Sequence, residues 1–394
     1  MLFEDAQRTL GLFLAPLTLD EFLDQTLSGG FRKIPGNPRG PRTALLGPNP
    51  QALLGEAYRL APHLTFHSAN ALGRAPSLEG ITDARDFLQR IEQFHALNYS
   101  VRFPELRPLS APLEQLARAF EVLLHQPVTM SAFWSKGGMR APVHYDDHDL
   151  LIVQLRGAKR WYISNKPSEL PNAWKGIPAD HLLDLGPSTT VDLTPGDVLY
   201  LPRGTLHTVD SDTASLHLAV GFSPLTVRDV LQAALDHLSD VDPKLRLTAG
   251  ARLAFQLKGV GFERLLPPVL DAVEQLRVAC RTQGYLSAAL QRRSARAIGA
   301  LVMLPQPPVV PAVSLDTRLT QADGAFCHLT ASAEKIDFSY PGGHVYISRL
   351  VQQSVVYMVN TPEFRVRDIP GEIGDDVRLS LAAKLLEVGF LRLA

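Results

Sequence analysis

The chain has 394 residues, with 39 Lys+Arg against 40 Asp+Glu and 45% hydrophobic residues. At roughly 100–200 residues per domain this predicts two or three domains. The even charge excludes a generally basic nucleic-acid binder, and the apolar content excludes wholesale disorder. Two cysteines, Cys280 and Cys327, are too few for a disulfide framework or a cysteine-based zinc site, which predicts a reducing compartment. No stretch reaches the roughly 20 apolar residues of a membrane span and the start lacks a basic leader, so a soluble, cytoplasmic protein with no membrane partner is expected.

Residues 1–35 read as an amphipathic lead-in, with a helix near Leu17–Leu23 capped by Thr18 or Asp20. Pro35 to Pro50 is turn-rich. Apolar residues recur at helical spacing over Asp83–Ala96 and again over Leu113–Leu124. From Val128 to Phe222 the period changes to short β-type runs: Leu150–Leu155, Arg160–Ser164, Thr189–Leu193, Val198–Leu201 and Ser215–Phe222. Turn signals at Pro195-Gly196-Asp197 and Pro202-Arg203-Gly204 separate them, which predicts an antiparallel sandwich or barrel. Helical periodicity returns over 225–296, in stretches around Val230–Leu238, Leu265–Leu276 and Leu286–Ile298. A rigid linker over Pro305–Pro311 follows. The last segment alternates, with His344–Ser348 and Val355–Met358 expected as strands and Asp375–Val388 as a helix.

The strongest chemical signal is His144-Tyr145-Asp146 with His207 further on. On a strand, positions i and i+2 share a face, so His144 and Asp146 project together while Tyr145 faces away. A histidine from a later strand completes a 2-His-1-carboxylate triad, which holds Fe(II) by one face and leaves positions open for a co-substrate and O2. Asp at position 146 disfavours an all-histidine site, and His148 and Asp149 read as rim or supporting groups. Arg156-Gly157-Ala158 reads as a hairpin turn after which Lys159 opens the returning strand. A dicarboxylate such as 2-oxoglutarate needs a buried cation for its distal end, and Lys159 fits that need as a point charge; without the triad it would read as a solvated turn lysine. Arg160 has the opposite strand parity and belongs outside.

Three stretches resemble one family: Val143-His144-Tyr145-Asp146-Asp147; Val153-Gln154-Leu155 through Gly157 to Lys159-Arg160-Trp161; and Pro202-Arg203-Gly204-Thr205-Leu206-His207, followed by Ser215-Leu216-His217-Leu218. These are similar to the JmjC-type ribosomal oxygenases, the nucleolar histidine hydroxylases and their bacterial arginine-hydroxylating relatives. The resemblance is sharp over about 144–222. It implies a mixed α and β fold: a JmjC double-stranded β-helix (jelly-roll) barrel over 1–224, a helical dimerisation domain over 225–300 and a winged-helix-like domain over 301–394. It further implies that His144, Asp146 and His207 bind Fe(II), that Lys159 binds the 2-oxoglutarate tail, and that His217 contacts the co-substrate's metal-binding end; a plain core histidine is the alternative for His217. The strand Val128–Trp134 lacks the Asn and Tyr of the nucleolar members, so Ser131 and Trp134 are expected on that wall instead.

The expectation is therefore an Fe(II)- and 2-oxoglutarate-dependent dioxygenase that hydroxylates Arg or His of a ribosomal protein and works as a homodimer. The alternatives are a hydroxylase of a precursor peptide or small metabolite, or a catalytically silent cupin. A winged helix invites a nucleic-acid partner, but 301–394 carries eight Lys+Arg against ten Asp+Glu, so no direct nucleic-acid contact is expected.

Overall fold

A computed structural model describes residues 3–171, 183–248, 266–303, 307 and 309–394. Leu265, and Pro305, Gln306 and Pro308 of the expected linker, lie outside them. The chain divides into two compact units, 1–224 and 225–394.

In the first unit, helices α1 (Phe3–Leu14), α2 (Leu19–Ser28), α3 (Pro50–Gly55), α4 (Ala84–Ala96) and α5 (Ala111–Leu124) accompany two sheets. Thr18, not Asp20, caps α2: its hydroxyl accepts from the Glu21 amide while the Glu21 carboxylate accepts from the Thr18 amide. Ser110 caps α5 with Pro112 in its first turn, so that helix starts before the expected Leu113.

The strands are β1 (Arg32–Ile34), β2 (Thr65–His67), β3 (Ser100–Phe103), β4 (Thr129–Ser135), β5 (Met139–Arg140), β6 (Asp149–Arg156), β7 (Lys159–Ser164), β8 (Ser188–Leu193), β9 (Val198–Leu201), β10 (His207–Ser211) and β11 (Ser215–Phe222). They form a seven-stranded sheet, β1-β9-β6-β11-β4-β3-β2, and a four-stranded sheet, β5-β10-β7-β8, antiparallel throughout. This is the expected jelly roll. The central strands β9, β6 and β11 of the large sheet are buried on both faces. The outer face of that sheet meets α2 and α5 through Phe22 on Tyr200 and Phe120 on Phe222. Its inner face and the small sheet enclose an apolar core with Ile152, Leu199 and Ala219 on one side and Trp161, Ile163 and Val209 on the other.

Two glycines make the turns that aim the site. Gly157, between β6 and β7, has φ +64°, and a Cβ there would stand 2.0 Å from the Ala214 carbonyl oxygen. Gly204, before β10, has φ +74° and its amide donates to the Asp146 carbonyl at 2.8 Å.

In the second unit, helices Val227–Val241, Leu266–Cys280 and Tyr285–Gly299 occupy the stretches read as helical. Two three-stranded sheets and helices Gln352–Asn360 and Asp375–Glu387 follow, around a core with Phe338, Met358, Leu385 and Phe390. The expected strand Val355–Met358 is therefore wrong: it is helical, with Val355 and Met358 one turn apart and both buried. Among the described residues, no helix is long and apolar enough to cross a membrane.

Candidate metal centre and its cavity

His144, Asp146 and His207 come together as the spacing predicted, with one ligand atom of each within 4.8 Å of the others. The route differs from the expectation in one respect. The His144–Asp146 segment is not a strand; it is held by a single bridge in which the amides of His144 and His207 each donate to the other's carbonyl, at 3.0 and 2.8 Å. Pro142 just ahead cannot donate to a ladder, which limits pairing here. Strict alternation is lost, and Tyr145 does not face away: it is buried and lines the same cavity as the triad.

Both histidines are oriented from behind. His144 Nδ1 donates to the Pro142 carbonyl and His207 Nδ1 to the Thr205 carbonyl, each at 2.9 Å. With Nδ1 carrying the proton, each Nε2 presents a lone pair, the form a metal ligand needs. Burial, and then the neighbouring His144, pull the His207 pKa down to about 4, which keeps the ring neutral. The loop before His207 is pinned in turn. Asp149 is buried and accepts from the Tyr200 hydroxyl at 2.6 Å and the Arg203 amide at 2.9 Å. It supports the ligand loop, while His148 lines the cavity and pairs with Asp147.

The triad stands in a cavity of about 420 Å³ between the two sheets. Lys159 and Arg160 show what parity does: Arg160 is exposed and pairs with Asp192 at 2.8 Å, whereas Lys159 is buried in the cavity wall. Among the described residues Lys159 has no carboxylate partner, and burial pulls its pKa down to about 7. His217 is also in the wall, stacked on Phe133 at 4.8 Å, with its pKa held well below the usual value by burial and then by Lys159. Ser131 lines the cavity as well. Trp134 does not. It stands on the other face of β4, edge-on to His95 at 5.0 Å, because residues 131 and 133 take the inward parity.

Four buried polar atoms of the lining have no hydrogen-bond partner among the described residues: Ser100 Oγ, Tyr145 OH, Trp161 Nε1 and His217 Nδ1. Each such atom costs about 1–3 kcal/mol unless a ligand or water satisfies it. Four in one cavity mark a binding site. Arg102 and Ser100, both on β3, escaped the sequence reading: a four-residue strand is too short to show a period.

The JmjC domain family matches residues 110–230. The chain is 35% identical over 117 residues to the uncharacterized protein YxbC of Bacillus subtilis (strain 168), covering 25% of this chain and 34% of that one. It is 28% identical over 138 residues to ribosomal oxygenase 2 of Rattus norvegicus, covering 34% and 29%. The chain thus spans about a third of the length of these curated relatives. The solved structure of YcfD, a ribosomal oxygenase from Escherichia coli, in complex with cobalt and 2-oxoglutarate, superposes with a TM-score of 0.51 at 16% identity, covering 96% of this chain and 98% of that one. Residues 110–230 thus match the JmjC domain family, and the likeness to the solved ribosomal oxygenase is one of fold.

Proposed function

We propose that the protein is an Fe(II)- and 2-oxoglutarate-dependent oxygenase that hydroxylates a side chain of a protein substrate, a ribosomal protein by the likeness to the ribosomal oxygenases. One observation carries the reading: a two-histidine, one-carboxylate donor set, oriented from behind, shares its cavity with a buried lysine that lacks a carboxylate partner among the described residues. The donor set suits Fe(II), and the orphaned atoms leave contacts for an organic acid. His144, Asp146 and His207 would hold the metal and Lys159 the distal carboxylate of 2-oxoglutarate. When bound, Fe(II) supplies oxidative decarboxylation of 2-oxoglutarate by O2, giving succinate and CO2 and placing one oxygen atom on the acceptor.

The chain's own groups do the rest. Lys159 fixes the co-substrate by its tail. His217 offers Nδ1 to the same molecule, and the apolar walls at Ile152, Trp161 and Val209 exclude water. The exposed apolar residues of the helical segment fit a homodimer, and we read 301–394 as a winged-helix-like scaffold of a cytoplasmic enzyme. The resemblance puts Arg or His forward as the target residue; among the described lining residues the one carboxylate already belongs to the triad, which leaves no counter-charge there for a guanidinium. The test is succinate release from 2-oxoglutarate by the full chain with Fe(II) and O2, without added acceptor. Absence of release would leave a catalytically silent fold.

A further inference from the structure

We propose that Arg102 determines specificity by binding a carboxylate of the acceptor molecule, so that the oxygenase acts beside an acidic group. The proposal rests on the oxygenase reading above and names its substrate class.

Arg102 faces the cavity from β3, paired in register with Phe133 of β4. Its Nη2 donates to Ser131 Oγ at 3.1 Å, and the Ser131 hydroxyl donates to the Pro104 carbonyl at 2.9 Å. The serine proton is thereby committed elsewhere and a lone pair is turned to the guanidinium. The guanidinium carbon stands 5.9 Å from the Phe133 ring centre. A hydroxyl and a ring face hold this cation; no carboxylate among the described residues does. The contrast with its neighbours is plain. Arg107 and Arg118 each bond Glu114 and Glu121, Arg140 bonds Asp210 and Arg160 bonds Asp192. A half-buried guanidinium without an anion is costly, and its remaining N–H groups form a fork suited to a carboxylate.

Two further observations point the same way. Ser100, two residues earlier on the same strand face, is 2% exposed and its hydroxyl has no partner among the described residues. It offers a second donor beside Arg102. Among the described lining residues Asp146 is the sole carboxylate, and it belongs to the triad. A cationic acceptor would meet Arg102 and Lys159 with no carboxylate among the described lining residues beyond Asp146, whereas an acidic one satisfies Arg102 and Ser100 together. The two cations stand on different sheets, Lys159 on the small and Arg102 on the large, so each can take its own acid.

The test is calorimetric binding to the metal-free full chain of the N-acetyl, N-methylamide forms of glutamate, glutamine and arginine. Glutamate should bind roughly 10-fold or more tighter than glutamine. Arg102→Gln should bring the two together, and Arg102→Lys, which keeps the charge without the fork, should retain part of the preference. Equal binding of glutamate and glutamine by the unmodified chain, tightest binding of arginine, or a glutamate preference that survives Arg102→Gln (and so belongs to Lys159) would each overturn the proposal. Lengthening the probe separates the sources of the acid. Affinity that rises with flanking residues assigns an acidic side chain of a polypeptide, and affinity highest for glutarate assigns a small free acid; either supports a carboxylate. Succinate release by the unmodified chain is scored separately. A chain that releases succinate but ignores the carboxylate loses this inference alone, and one that prefers the carboxylate without releasing succinate loses the oxygenase reading alone.

Discussion

Within the barrel of residues 1–224, polar atoms are buried without partners; in the helices of the second unit, apolar side chains stand in water. Ser100, Tyr145, Trp161 and His217 each carry an orphaned polar atom into one cavity. The helix Leu266–Cys280 has no buried residue, with Leu266, Val269, Leu270 and Val273 all more than half exposed, and Leu231 on the first helix of that unit is 51% exposed. Both departures are unfavourable for an isolated chain, by opposite physics: unmet hydrogen bonds in one case, unburied hydrocarbon in the other. The difference teaches what each surface awaits. The first is complementary to a small polar ligand and the second to another apolar surface.

The largest expected effect falls on the cavity. His144→Ala or His207→Ala should abolish Fe(II)-dependent succinate release, because one missing ligand breaks the facial donor set; Asp146→Ala should lose oxidation as well. Near-normal turnover in any of them would break the metal assignment. Next is Lys159→Ala. Loss of a charge-assisted bond of about 1.5–3 kcal/mol should raise the 2-oxoglutarate requirement roughly 10- to 150-fold, measured by succinate release against 2-oxoglutarate concentration. An unchanged requirement would move the role elsewhere.

The same lysine links function to stability. Its pKa is about 7 in the fold, while an unfolded chain keeps it near 10.4. Between those values the unfolded chain binds more protons, so this contribution to stability rises with pH through that window. Lys159→Met should therefore melt higher than the unmodified ligand-free protein at pH 7, by an amount that shrinks toward pH 9. A difference that grows with pH would contradict a buried, unpaired ammonium.

On the helical side, Leu270→Glu should give monomers by light scattering with little change in melting of the monomer, since an exposed substitution stays within about 0.5 kcal/mol. A monomer for the unmodified protein at micromolar concentration would remove the homodimer. The smallest effect is reserved for Trp134→Phe: it should cost about 1 kcal/mol in packing against His95 and leave the 2-oxoglutarate requirement alone. A raised requirement would return Trp134 to the site.

The triad was legible because ligand chemistry fixes residue types at fixed positions, and Lys159 because a strand alternates. Trp134 was not. Nearly all of β4 is buried, so its pattern does not say which face meets the cavity. Val355–Met358 is a short apolar run with no visible period, and only its packing in the helix Gln352–Asn360 chose between strand and helix. Arg102 was hidden for a third reason: a cation pointing inward contradicts the rule that polar residues point out, and only the neighbouring strands reveal which way is in.

The reciprocal amide–carbonyl bonds between His144 and His207 carry a consequence for how the protein is assembled in a cell. Two ligands joined by their own main chains should reach their places when the barrel closes, and we expect this pairing to form without the ion. Maturation of the enzyme can then be ordered, with chain first and ion last, and a chelator should strip activity while the melting transition persists. A donor set of two imidazoles and one carboxylate also accepts other divalent ions, whose affinities rise toward copper. Its fidelity for iron is then set by which ions the compartment supplies at the moment of filling.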